Sequence, residues 1–212
     1  MHVRHQIAVQ NSSPILYAVY HTRLAYDFII MNFSRTQFRS TALLVSFIFL
    51  SACSPKYDWR EVRIDAAPYV IALPTKPTTH TRTIDLKGIK ASMTMVASEV
   101  DGVTFAVGSA ELPDAIQAQV SLAAMKTAMI NNIAGTVKHE KVLTMAQSIN
   151  APGTVVVTEI EASGLAANGQ KRVLFARFLA KEKRVYQLVV LGPEKSIKRE
   201  MVATFFSSFK LN

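Results

Sequence analysis

Residues 90–110 read KASMTMVASEVDGVTFAVGSA, and this stretch decides the fold. In its first arm Ala91, Met93, Met95 and Ala97 alternate with Ser92, Thr94 and Ser98, the period of a half-buried strand. Asp101-Gly102 is a two-residue hairpin signal, since both residue types tolerate the left-handed backbone that such turns need. Val103–Ala110 is then the returning strand. Upstream, Thr78–Lys87 and Lys90–Val100 flank Gly88 as a second hairpin. Arg60–Ile64 and Tyr69–Leu73 read as short strands, the second stopped by Pro74 and Pro77.

Downstream, Pro113 opens a helix expected to run to about Ile133, because proline suits the first helical turn. Asp114, Gln117, Ser121 and Asn132 fall on one narrow arc, while Ile116, Val120, Leu122, Met129, Ile130 and Ile133 spread over the remainder. This distribution predicts a helix packed broadly on a sheet, ended by Gly135. Four more strands are expected at Thr136–Ala146, Gly153–Ala162, Arg172–Ala180 and Arg184–Leu191, with turns at Asn168-Gly169 and Glu182-Lys183. Along the second, Val156, Thr158 and Ile160 are expected to form the inward face, alternating with Val157, Glu159 and Glu161. A closing helix over Glu194–Phe209 would place Ile197, Met201, Phe205 and Phe209 on one apolar stripe, with Lys195, Lys198 and Arg199 facing away.

Strands, helix, strands, helix in that order imply an α+β domain over residues 60–212, an antiparallel sheet with two helices packed on it. The Tyr69-Val70-Ile71-Ala72-Leu73-Pro74 strand, the Val185–Leu191 strand, Gly192-Pro193-Glu194 and the closing Phe205-Phe206-Ser207-Ser208-Phe209 resemble the PsbP-like group. That group includes small exported lipoproteins of the DcrB type, and the resemblance implies an αβ sandwich. It brings no catalytic motif. The chain as a whole also resembles uncharacterised lipoproteins of β-proteobacteria.

The remaining sequence concerns address rather than fold. Residues 31–53 read MNFSRTQFRSTALLVSFIFLSAC. Arg35 and Arg39 make a positive n-region and Thr41–Leu50 a short apolar run, well below the ~20 residues a helix needs to span a bilayer. This order is that of a signal peptide, residues 31–52. Leu50-Ser51-Ala52-Cys53 resembles the lipobox of bacterial lipoproteins. The resemblance implies a diacylglyceryl group on the Cys53 thiol, cleavage just before it and acylation of the new amine. Several acyl chains anchor stably where one is marginal. Ser54, in place of Asp, implies outer-membrane sorting by likeness to enterobacterial rules. Residues 1–30 read as an extension upstream of a true start at Met31. The other reading, a long n-region, fits less well because the stretch is not notably basic and carries its own apolar patch, ILYAVY. Residues 53–59 are then a lipidated tether leading straight into the domain.

Composition limits the chemistry. The 212 residues are 50% hydrophobic, enough for a core, and the formal net charge is +9. Arg4, Arg23, Arg35 and Arg39 precede Cys53 against Asp27 alone, so the remainder is only moderately basic. The single cysteine excludes an intrachain disulfide and a cysteine zinc cluster. His80 and His139 are the histidines after Cys53, and neither sits in a nucleophile motif; Gly108-Ser109 lacks the closing glycine of such an elbow. His139 and Glu140 are adjacent on a strand and point to opposite faces, and Asp101 has no calcium-loop partners. Glu159 and Glu161 share a strand face, close enough to repel, as solvated glutamates or as a paired-carboxylate site. Arg172, Arg177, Lys181, Lys183 and Arg184 surround a predicted hairpin, either as an anion site or as an ordinary charged turn that discourages edge pairing. Trp59 is expected to pack on the domain or touch the membrane interface.

The sequence thus predicts a lipid-anchored, periplasm-facing envelope protein that is not an enzyme. No catalytic residue, metal site or cofactor is expected. Its partners are a membrane, through lipid on Cys53, and an envelope protein bound by a noncatalytic module, with nucleic acid excluded by location. The alternative is a small-ligand carrier or sensor with a pocket between sheet and helix, lined by Met93, Met95, Met125 and Met129, since methionine adapts to varied ligands. A hydrolase is the third reading. Oligomeric state is not legible.

Overall fold

The computed structural model describes residues 56–64, 67–146, 152–166 and 168–212. Both residues of the Asp101-Gly102 turn take positive φ, 54° and 74°, the conformation that matches the twist of the strands it joins. It connects β4 (Ile89–Val100) to β5 (Val103–Glu111), after β1 (Arg60–Ile64), β2 (Tyr69–Leu73) and β3 (Thr78–Leu86). Helix α1 (Ala115–Asn132) follows, then β6 (Thr136–Ala146), β7 (Thr154–Leu165), β8 (Lys171–Lys181) and β9 (Arg184–Pro193). A single 3₁₀ turn at Glu194–Ser196 leads to α2 (Arg199–Ser208) and β10 (Lys210–Leu211).

Seven strands form one antiparallel sheet in the order β3-β4-β5-β9-β8-β7-β6. It consists of two meanders, β3-β4-β5 and β6-β7-β8-β9, joined along β5 and β9 from Thr104↔Leu191 to Glu111↔Arg184. Three further strands make a second sheet, β1-β2-β10, in which β2 runs antiparallel to both neighbours.

The expected α+β sandwich of PsbP type, one sheet under two helices, is overturned. Strands make up 58% of the described residues, in ten strands and two sheets with only two helices, a sheet-rich fold. The reason lies in what covers each face of the large sheet. Ala118, Met125 and Ile133 pack with Met93, Ala106, Leu174 and Phe178 on the α1 face. The opposite face is too wide for a ten-residue helix, and β1, β2 and β10 supply the rest of its cover. Tyr69, Ile71, Leu73 and Leu211 of the small sheet are buried there beside Phe205, Phe105, Tyr186 and Leu188. Each such side chain contributes roughly 1.5–3 kcal/mol when fully buried.

Covering both faces also alters the strand pattern. Ala91 and Met93 of β4 are buried on the α1 face, but farther along Val96, Ser98 and Val100 are the buried positions. On β7 the expected inward face is reversed at its start, where Val156 is 55% exposed and Val155 and Val157 are buried against the other layer. Helix α1 differs more. Asp114 caps it, its carboxylate accepting from Gln117 N–H at 2.7 Å. The buried residues are Ala118, Ser121 and Met125, whereas Ile116 is 77% and Val120 61% exposed. The broad apolar packing expected of this helix holds in part: Met125 and Ile133 are buried and Leu122, Met129 and Ile130 pack half-buried against the sheet, while Ile116 and Val120 are left outside. Its exit is equally tight: Leu165 N–H donates to Ile133 O at 3.0 Å, and a Cβ on Gly164 would lie 2.0 Å from that oxygen. The closing helix is shorter than expected, with Ile197 and Phe209 outside it.

Candidate functional site

A cleft of about 510 Å³ opens between α2 and strands β6–β8. Its floor is built from cross-strand rows on one face of the sheet. Lys141, Glu159 and Arg177 are direct neighbours across β6, β7 and β8, and His139, Glu161 and Phe175 form the next row. Helix α2 closes the far side with Arg199, Val202, Ala203 and Phe206.

Both of these glutamates are paired, Glu159 with two cations and Glu161 with one. Arg177 Nε donates to Glu159 Oε2 at 2.7 Å and Lys141 Nζ lies 2.9 Å from Glu159 Oε1. Arg177 also donates to Phe206 O at 3.3 Å, and its guanidinium sits 4.5 Å over the Phe206 ring. Burial opposes ionisation of Glu159, but the hydrogen bonds and charges of Lys141 and Arg177 outweigh it and hold the carboxyl below its ordinary range. Glu161 receives both guanidinium nitrogens of Arg199, at 2.8 and 3.1 Å, a bidentate pair. That hydrogen bond raises the Arg199 pKa further. The Arg199 guanidinium lies 5.2 Å from the Phe175 ring centre.

Glu159 and Glu161 do share one face, yet they do not form a repelling dyad, because each is held by its own cations. Arg199, expected to face away from the domain, reaches back to β7. Nothing in the sequence signals this pair, whose members lie 38 residues apart. Lys141 carries no motif either, although period-two alternation places it on the face of His139.

The other candidates disperse. Of the basic cluster, Arg177 enters the cleft and Arg172 lies at one end of the sheet. Lys183 and Arg184 at the other end are bound by Glu111, whose carboxyl is held low chiefly by its hydrogen bond from Lys183. His80 stands exposed on β3, and His139 lines the cleft from β6, on opposite edges of the sheet. Glu140 points to the other face, where it meets Lys126 of α1 at 2.6 Å. Trp59 packs edge-on against Phe105 at 5.9 Å. Met93 and Met125 are buried in the core beneath α1, where the Gln187 amide meets the Met93 and Met95 sulfurs at 3.7 and 3.5 Å. Met95 and Met129 are half-buried against the same cluster. Among the described residues no three His, Cys, Asp or Glu side chains converge as metal ligands, and no helix is long and apolar enough to cross a membrane. Leu50, Ser51, Ala52 and Cys53 lie outside the described residues.

No protein-family model matches the chain, and no curated protein matches it. The crystal structure of a Pseudomonas aeruginosa protein of unknown function aligns with 68% of this chain and 90% of its own, at 11% identity and a TM-score of 0.32. A likeness that slight carries no argument about what this chain does.

Proposed function

We propose that this chain is an envelope lipoprotein, held to a membrane through lipid on Cys53, whose sheet-rich domain is a noncatalytic protein-binding module. The anchor rests on the ordered n-region, apolar run and Leu50-Ser51-Ala52-Cys53 of the sequence. The binding role is carried by one observation, the pairing of both glutamates in the α2 cleft. A general acid or base needs a carboxyl free to exchange a proton near neutral pH. Glu159 and Glu161 are instead committed to Arg177, Lys141 and Arg199. What remains for a ligand is the exposed Ala203 with the small accessible part of Phe175, Val202 and Phe206, within a charged rim, the composition of a recognition surface.

Two experiments test this reading. Replacing Cys53 by Ala is expected to abolish incorporation of labelled fatty acid and leave the precursor uncut; persistent labelling defeats the anchor. A photo-crosslinking residue at Ala203, in the cleft, is expected to give a discrete adduct with one envelope protein in living cells, while the same residue at Lys87 gives none. Failure to obtain any reproducible adduct at Ala203 removes the binding role.

A further inference from the structure

The end of the domain from which the tether emerges carries an exposed basic rim. Asp58 N–H donates to Pro74 O at 2.8 Å and Lys56 pairs with Asp101, so the tether joins the body beside the β4–β5 turn. By strand direction, the same end carries the β2–β3 link, the β7–β8 turn and the β9–α2 connection. Those three segments hold Lys76, Lys171, Arg172, Lys195 and Lys198. The four lysines are exposed. None of these five cations forms an ion pair among the described residues, and the acids nearby are Glu99, Glu194 and Glu200 alongside Asp58 and Asp101, which are already paired. At the opposite end, Glu111 takes up both Lys183 and Arg184, while Lys87 and Lys90 stand exposed without an ion pair among the described residues.

Two further features belong to this rim. Leu165, at the β7–β8 turn, is 53% exposed, a large apolar side chain among the cations. Arg172 Nε is buried without a hydrogen-bond partner, in a cleft of about 320 Å³ lined also by Lys171, Leu165 and Glu194. Glu194 in that cleft opposes a tight pocket for a single phosphate. It does not oppose a broad anionic surface, which needs only net positive charge within a Debye length.

We infer that this rim is a membrane-facing surface, which lays the tether end of the domain against anionic lipid headgroups with Leu165 at the interface. The inference rests on the lipid anchor proposed above. Cys53 to Asp58 spans at most roughly 17 Å when fully extended, so the anchor holds these lysines close to headgroups. Each lysine near an anionic bilayer favours close approach by about fivefold, and the effect fades with salt. The anchor fixes the chain to the membrane, and the rim fixes which end of the domain rests on it.

The test uses the full lipidated chain, purified and reconstituted in vesicles of phosphatidylcholine alone or with phosphatidylglycerol, with amine acylation read by mass spectrometry. Lys76, Lys171, Lys195 and Lys198 are expected to be several-fold less reactive on the anionic vesicles than on the neutral ones, and to recover at high salt. Lys87 and Lys90 at the far end are expected to stay unchanged. A chain carrying Lys171→Gln, Lys195→Gln and Lys198→Gln is expected to lose about two orders of magnitude of the close-approach preference, exposing Lys76. If the chain floats with the vesicles, carries lipid on Cys53 and labels equally at both ends, the rim inference is overturned and the anchor stands. If Cys53 is unmodified and the chain does not float, the anchor fails and takes this inference with it.

Discussion

Glu159 is the residue on which the cleft turns. Its side chain is 19% exposed and its two cations come from different strands. Replacing it by Gln keeps the shape but leaves the Arg177 guanidinium, itself only 20% exposed, without an anion. Unmaking one half of such a pair costs more than the pair is worth, here about 1–2 kcal/mol, or roughly 3–6 °C in Tm for a domain of this size. The pH dependence follows from the lowered carboxyl. Its stabilising share is complete at neutral pH, above the ordinary glutamate range, and is lost as pH falls through the depressed folded value. Thermal unfolding between about pH 6 and pH 3 is thus expected to show a steeper loss in the parent than in Glu159→Gln. Equal slopes would falsify the assignment. The shared face of Glu159 and Glu161 was legible from strand alternation alone. The partners were not, since a side chain on α2 meets β7 only after both helix and sheet are in place.

At the scale of elements, hairpins and helix α1 read differently for a physical reason. Strand order along β3-β4-β5 is fixed by turns that carry their own backbone signature, Lys87-Gly88 and Asp101-Gly102, each with positive φ at both positions. Helix α1 has no comparable marker on its buried side. Close approach to the sheet selects Ala118 and Ser121 beside Met125, so Ile116 and Val120, which periodicity favours equally, are left outside. Double substitution of Ile116 and Val120 by Lys is therefore expected to change stability by no more than about 0.5 kcal/mol. Met125→Ala, which empties a buried position, is expected to cost about 2–4 kcal/mol. Chemical denaturation of the two variants compares them directly, and a large loss from the first would restore the broad packing that the sequence suggested.

Across the whole molecule, the missing term in the sequence reading was the second sheet. Tyr69–Leu73 looks like any buried strand, and its neighbours β1 and β10 lie far apart in the chain. Only the pairing of Lys210 and Leu211 with Val70 and Tyr69 shows that it belongs to a layer of its own. The same long-range logic governs the large sheet, whose two meanders are made of consecutive strands while their junction is not. Glu111 and Arg184 meet across that junction from positions 73 residues apart. Bringing such distant segments together costs loop entropy before any contact repays it, whereas adjacent strands need close only short turns. The junction thus sets a clock: the meanders form first, and the sheet closes along β5 and β9 last. Pulsed hydrogen exchange during refolding is expected to protect amides of the β7–β8 ladder ahead of those pointing across β5–β9. Simultaneous protection of both ladders would mean that the chain folds through some other order. Until that closure, the seam edges of both meanders stay open, and it is in this interval, rather than in the finished fold, that the chain is most exposed to pairing with another copy of itself.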